Sequence, residues 1–118
     1  MKRILIAATF ALVPLAASAQ GNINCRLAQS ADEVQICSSP ALKAKDAQLA
    51  MLYSTLRKNL ARNAKQGYGM AAPASKWMQK SQGKWLIERH RCGSDYQCIL
   101  RVYDKRINEI DGLDETDF

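Results

Sequence analysis

Four cysteines constrain this chain of 118 residues more than any other feature: Cys25 and Cys37 lie in its first third, Cys92 and Cys98 near its end. Four cysteines can pair in three ways, and close sequence neighbours favour Cys25 with Cys37 and Cys92 with Cys98. Each such bridge closes a short loop and restricts the unfolded chain, which stabilises the fold by about 2–3 kcal/mol. A zinc site is a poor alternative. Neither pair has the two-residue spacing of a thiolate ligand set, and the only histidine, His90, stands beside Arg91. The expectation is a small stapled domain with no metal and no cofactor.

Stable disulfides need an oxidising compartment, and the N-terminus supplies the route to one. Met1-Lys2-Arg3 precedes an apolar run that reaches Leu15-Ala16, and Ala17-Ser18-Ala19 follows. A charged start, an apolar run too short to span a bilayer with normal flanks, and an Ala-x-Ala site predict a signal peptide over 1–19, cleaved after Ala19. The product then begins at Gln20, is sent to the periplasm or beyond it, and keeps no transmembrane segment. Cys25 follows Asn24 rather than the apolar run, so a lipid-modified N-terminus is not expected. Residues 20–24 are polar and read as a flexible lead-in.

From Cys25 onward the pattern is helical. Ser30-Ala31-Asp32-Glu33 has the form of a capping box and predicts a short helix through Val34, Ile36 and Cys37. Ser39-Pro40 is a second start signal, and Leu42, Asp46, Leu49, Tyr53, Leu56 and Leu60 then recur at steps of three and four. That stripe predicts a long helix to about Gln66, ended by Gly67 and Gly69. Another runs from about Ala74 to Arg91, with Met78, Ser81 or Gln82, Trp85 and Arg89 inward. A last helix follows Asp95 and carries Ile99, Val102, Tyr103, Arg106, Ile107 and Ile110 on one stripe. No segment alternates at period two. The fold class is therefore all-α: a small antiparallel three-helix arrangement with a short N-terminal helix and two disulfides over 25–110, then an acidic tail at 111–118.

Three charged residues lie on these apolar stripes. An unpaired buried charge is costly, so Asp46 is expected to pair internally with Arg89, with Arg106 as the other candidate. Gln82 is expected to join them through backbone groups or tyrosine hydroxyls, and Trp85 and Tyr53 to pack in the core. An Asp held beside an Arg stays ionised, which suits a scaffold rather than a general acid. The chain offers no paired carboxylates at a cleft, no nucleophile beside a base and no phosphate loop, so it is not read as an enzyme.

Charge narrows the partners. The segment 25–107 holds 15 basic and 6 acidic side chains, a net charge of +9, whereas the acids crowd the end of the chain. A basic body attracts lipid headgroups, envelope polymers or an acidic protein, or is a solvated surface. Its cations are spread over all three helices with no reading helix, so nucleic acid is not an expected partner.

Cys25, Ala28, Glu33, Ile36-Cys37, Leu42, Asp46, Tyr53, Gln82, Trp85-Leu86, Arg89, Cys92, Cys98, Tyr103 and Arg106-Ile107 together resemble the LprI-type lysozyme-inhibitor family. These are small cysteine-rich proteins of the bacterial envelope, and the resemblance covers nearly all of the chain after residue 24. It implies a periplasmic helical domain with two disulfides and, for some members, inhibition of lysozyme. The partner is then lysozyme or another envelope protein, met by exposed groups. Tyr68 and Met70 on the glycine-rich connection from Gln66 to Ala72 are candidate contacts, as is Phe118 in the tail. The other reading is an interaction module whose basic surface meets an anionic envelope component or another protein.

Overall fold

The computed structural model describes residues 23–113. A 3-10 turn, Cys25–Leu27, precedes four helices: α1 (Ala31–Ser38), α2 (Pro40–Lys65), α3 (Ala71–Arg91) and α4 (Tyr96–Asp111). There is no strand among the described residues.

Local chemistry sets most of the boundaries. The Ser39 hydroxyl accepts the Leu42 N–H at 3.2 Å, and Pro40, which lacks an N–H, sits where none is needed. Asp95 accepts the Cys98 N–H and starts α4 in the same way. α2 and α3 both end at glycines in the left-handed region, Gly67 with φ 81° and Gly93 with φ 57°, where any Cβ would be strained.

Two boundaries differ from the sequence reading. α3 begins at Ala71 rather than Ala74, because Pro73 lies in the first turn, where a missing N–H removes no helical bond. Ala71 is fully buried, so the connection between α2 and α3 spans only 66–70. The capping box of α1 does not form. Ser30 occupies the N-cap without a side-chain cap bond, and Glu33 accepts the Gln29 N–H instead, at 3.4 Å.

Side-chain bonds give the helix directions. The Trp85 indole N–H donates to the Val102 carbonyl, whereas Arg106, one turn further along α4, reaches back to Ser81 and Gln82; α3 and α4 are therefore antiparallel. Asp46 and Lys45 meet Tyr103 and Asp104, while Thr55 and Asn59 share a groove with Ile110 and Asp111. So α2 and α4 are parallel, and the three long helices run up, down and up.

Each long helix contributes one stripe to a common core: Leu42, Leu49, Tyr53, Leu56 and Leu60 from α2, Met78 and Trp85 from α3, and Ile99, Tyr103 and Ile107 from α4. Full burial of side chains of this size is worth roughly 1.5–3 kcal/mol each, enough to hold a bundle of this length together. α1 adds Ile36 and packs on α2 and α3. The disulfide Cys25–Cys37 fastens the 3-10 turn to the end of α1, and Cys92–Cys98 ties the end of α3 to the start of α4.

Candidate functional site

The polar residues on the apolar stripes are brought together, but not in the expected pairs. Arg89 is completely buried and donates from Nε to Oδ2 of Asp32, 2.7 Å away, with Glu33 3.7 Å from one of its terminal nitrogens. His90 lies half exposed on the other side of the same carboxylate. Its Nδ1 is 2.9 Å from Oδ1 of Asp32, and because an ionised carboxylate only accepts, Nδ1 carries the hydrogen. Asp46 instead accepts the Tyr103 hydroxyl and the Ile23 N–H, both at 2.8 Å. The predicted Asp46–Arg89 pair is thus replaced by Asp32–Arg89, and Arg89 acts on Asp46 only through space.

The other candidate pairing, Asp46 with Arg106, is also absent. Arg106 donates from Nε to Oε1 of Gln82 and from Nη2 to Ser81, both at 2.9 Å, and lies 3.3 Å from Glu109. Gln82 therefore bonds a guanidinium rather than the backbone or a tyrosine. The long arginine side chain crosses the α3–α4 seam, and its hydrogen bonds across that seam go to α3 rather than to Asp46 on α2. Trp85 sits between these groups: its ring is 5.1 Å from Tyr103 edge-on and lies under the Arg89 guanidinium at 5.6 Å. Tyr53 is buried in the core, where burial pushes its phenol up.

Two of these carboxylates titrate in opposite senses. Burial alone would raise Asp32, but the Ser30 hydroxyl, His90 and Arg89 outweigh it and hold the carboxyl at about 2, against an ordinary 3.8. The Ser30 hydroxyl faces it without a hydrogen bond of good geometry. At Asp46 burial dominates, and the pKa is raised despite the Ile23 and Tyr103 hydrogen bonds. A depressed carboxyl stabilises the fold above its unfolded value and loses that contribution as pH falls toward its folded value. Asp32 should therefore withdraw about 2 kcal/mol between roughly pH 4 and pH 2. Asp46 has the reverse sign: its folded state takes up a proton more readily than the unfolded chain, so acidification through its raised pKa strengthens the fold. Urea unfolding as a function of pH checks both: Asp32→Asn should flatten the acid loss, and Asp46→Asn should remove the opposing gain.

Asp32, His90, Ser81 and Tyr103 are the site residues that the sequence reading missed as bonding partners. One signal was present, since Asp32 lies four residues before Ile36 and both are buried on the same face of α1. The end of the lead-in is also engaged: Ile23 bonds Asp46, and Asn24 accepts the Arg26 N–H.

Most of this polar chemistry faces inward, so contacts with a partner fall to the surface. Tyr68 and Met70 stand out from the connection between α2 and α3 with 60% and 61% exposure. Trp77, Ile87 and Met51 are also exposed. Phe118, the acidic residues 114–118 and the segment 1–19 lie outside the described residues. Three open grooves follow the three helix seams. The α2–α3 groove is basic, with Arg57 and Lys58; the α2–α4 groove mixes Leu52 and Leu113 with Thr55, Asn59 and Asp111; the α3–α4 groove mixes Trp77 with Glu88 and Lys105. No helix among the described residues is long and apolar enough to cross a membrane, and none of their His, Cys, Asp and Glu side chains cluster in a way that could hold a metal ion.

A family model described as "Lysozyme inhibitor LprI" matches residues 25–110. Comparison with curated proteins and with solved structures gives no match.

Proposed function

The chain belongs to the LprI lysozyme-inhibitor family, and from that membership we propose that it binds a lysozyme-like partner in the cell envelope and inhibits it without covalent chemistry. The observation that carries the reading is the extent of the family match, which begins at Cys25 and ends at Ile110, so it takes in both disulfides and every helix. Export by the signal peptide to the periplasm is part of the same proposal. The arrangement of the interior supports a binding role: the carboxylates of Asp32 and Asp46 and the guanidinium of Arg106 are engaged with internal partners. Recognition then depends on exposed groups, and Tyr68 and Met70 are the proposed contacts, with Phe118. Tyr and Met on a short connection present apolar area of the kind that the buried centres of protein interfaces favour.

The test is a titration of the oxidised protein against lysozymes of different net charge in a cell-wall lysis assay. Lysis should slow progressively at micromolar inhibitor, least for the most basic lysozyme, because the body of this chain is itself basic. Tyr68→Ser with Met70→Ser should weaken inhibition by about tenfold or more while leaving the melting temperature unchanged. Absence of inhibition at micromolar concentration across all the lysozymes would refute the proposal.

A further inference from the structure

One charge asymmetry is not explained by inhibition. From Ala47 to Ile87 the chain has no acidic residue, yet it carries Arg57, Lys58, Arg62, Lys65, Lys76, Lys80 and Lys84. This span is most of α2, the connection and most of α3. The exposed carboxylates of Glu88, Asp95, Asp104, Glu109 and Asp111 all lie at the end of α3, before α4 or on α4. None of the ion pairs among the described residues involves Lys76, Lys80, Lys84, Arg57 or Lys58.

α3 shows how these cations are presented. Its inward stripe is Ala71, Ala74, Met78, Gln82, Trp85 and Arg89, all buried. Its outward stripe is Trp77, Lys80, Lys84 and Ile87, spaced three, four and three apart and all exposed. Trp77 and Ile87 keep 50% and 53% of their surface in water. A bundle helix facing solvent has no use for an indole and an isoleucine on the same line as two lysines. An interface between water and acyl chains does: the ammonium groups reach phosphates while their stems lie along apolar surface, and the indole sits at headgroup depth. Arg57 and Lys58, with the Ser54 and Ser75 hydroxyls, line the neighbouring α2–α3 groove and extend the same cationic surface toward α2.

We propose that the outward face of α3, together with the basic α2–α3 groove, docks on the surface of a bilayer rich in anionic phospholipid, with Trp77 and Ile87 entering the headgroup layer. The occupant is fixed by charge and by the stripe. A face whose cations meet no carboxylate before Glu88 suits a polyanionic surface, and the two apolar side chains along it suit a bilayer better than a soluble polymer. The contact is peripheral and reversible, and it leaves Tyr68 and Met70 at the end of the bundle free. It is independent of the inhibitor reading.

The experiment uses the exported, oxidised protein and vesicles of phosphatidylglycerol and phosphatidylcholine in equal parts, with phosphatidylcholine alone as the comparison. Co-sedimentation is expected with the mixed vesicles only, weakening as salt is added. Trp77 emission should shift to the blue on binding, and Trp77→Phe should abolish that shift, since Trp85 is already buried. Lys80→Gln with Lys84→Gln should weaken vesicle binding by roughly 25-fold, about fivefold per cation, with lysis inhibition not weakened and the melting temperature unchanged. No binding to the mixed vesicles at low salt, equal binding to phosphatidylcholine, or insensitivity to the lysine changes would each overturn the proposal. So would equally tight binding of soluble polyglutamate, which would make the partner an anionic polymer.

Discussion

Arg89→Met is expected to lower the unfolding free energy by roughly 3–5 kcal/mol, because it leaves the Asp32 carboxylate buried and ionised without its main partner. Neither side chain has any useful access to water: Arg89 is 0% exposed and Asp32 1%. Methionine approximates the length of the aliphatic stem, so lost packing is a small part of the effect. The stacking of the guanidinium on Trp85 disappears as well. The charge argument can be isolated by removing both partners. Arg89→Met with Asp32→Leu should recover most of the loss, since no uncompensated charge then remains inside. Urea denaturation of the oxidised proteins measures both, and a cost below about 1 kcal/mol for Arg89→Met alone would show that the pair is not the keystone of the α1–α3 junction.

Trp85→Ala should cost a similar 3–5 kcal/mol by a different route. The indole fills the centre of the bundle at 4% exposure, meets Tyr103 edge-on, and donates to the Val102 carbonyl of α4. Truncation opens a cavity lined by all these partners and releases the α3–α4 seam. Trp85→Phe keeps most of the ring volume and should cost clearly less, the difference reporting the indole N–H and the smaller ring. Thermal unfolding by circular dichroism separates the two variants, and equal losses would argue against the cavity as the main term.

Much of the architecture was legible because it obeys periodic rules. The α2 stripe from Leu42 to Leu60, the Ser39-Pro40 start and the glycine after Cys92 each state their role locally. Local pairing of the cysteines follows from short loops, and the structure has those two bridges. What the sequence could not state was which buried charges meet. Asp46 and Arg89 both stood out as polar residues on apolar faces, and both are buried, but the choice of partner depends on where α1 lands. Asp32 looked like a residue of a helical first turn, where a carboxylate is satisfied by the helix dipole alone. Only tertiary placement carries it to Arg89. The same placement gives His90 a partner, although its sequence neighbourhood shows only Arg91 beside it. Exposed contacts are less legible still, because Tyr68 and Met70 follow no spacing that burial would impose.

The clasp between Cys25 and Cys37 joins the settings of two buried carboxylates. α1 has only eight residues, too few to persist as a free helix, and Ser39 alone joins it to α2. The main chain therefore keeps Asp32 beside the bundle, while the bridge pins the lead-in at Cys25 to the last turn of α1. Ile23, whose N–H bonds Asp46, stands two residues before that cysteine. One short covalent loop thus carries both the carboxylate that answers Arg89 and the backbone donor that answers Asp46.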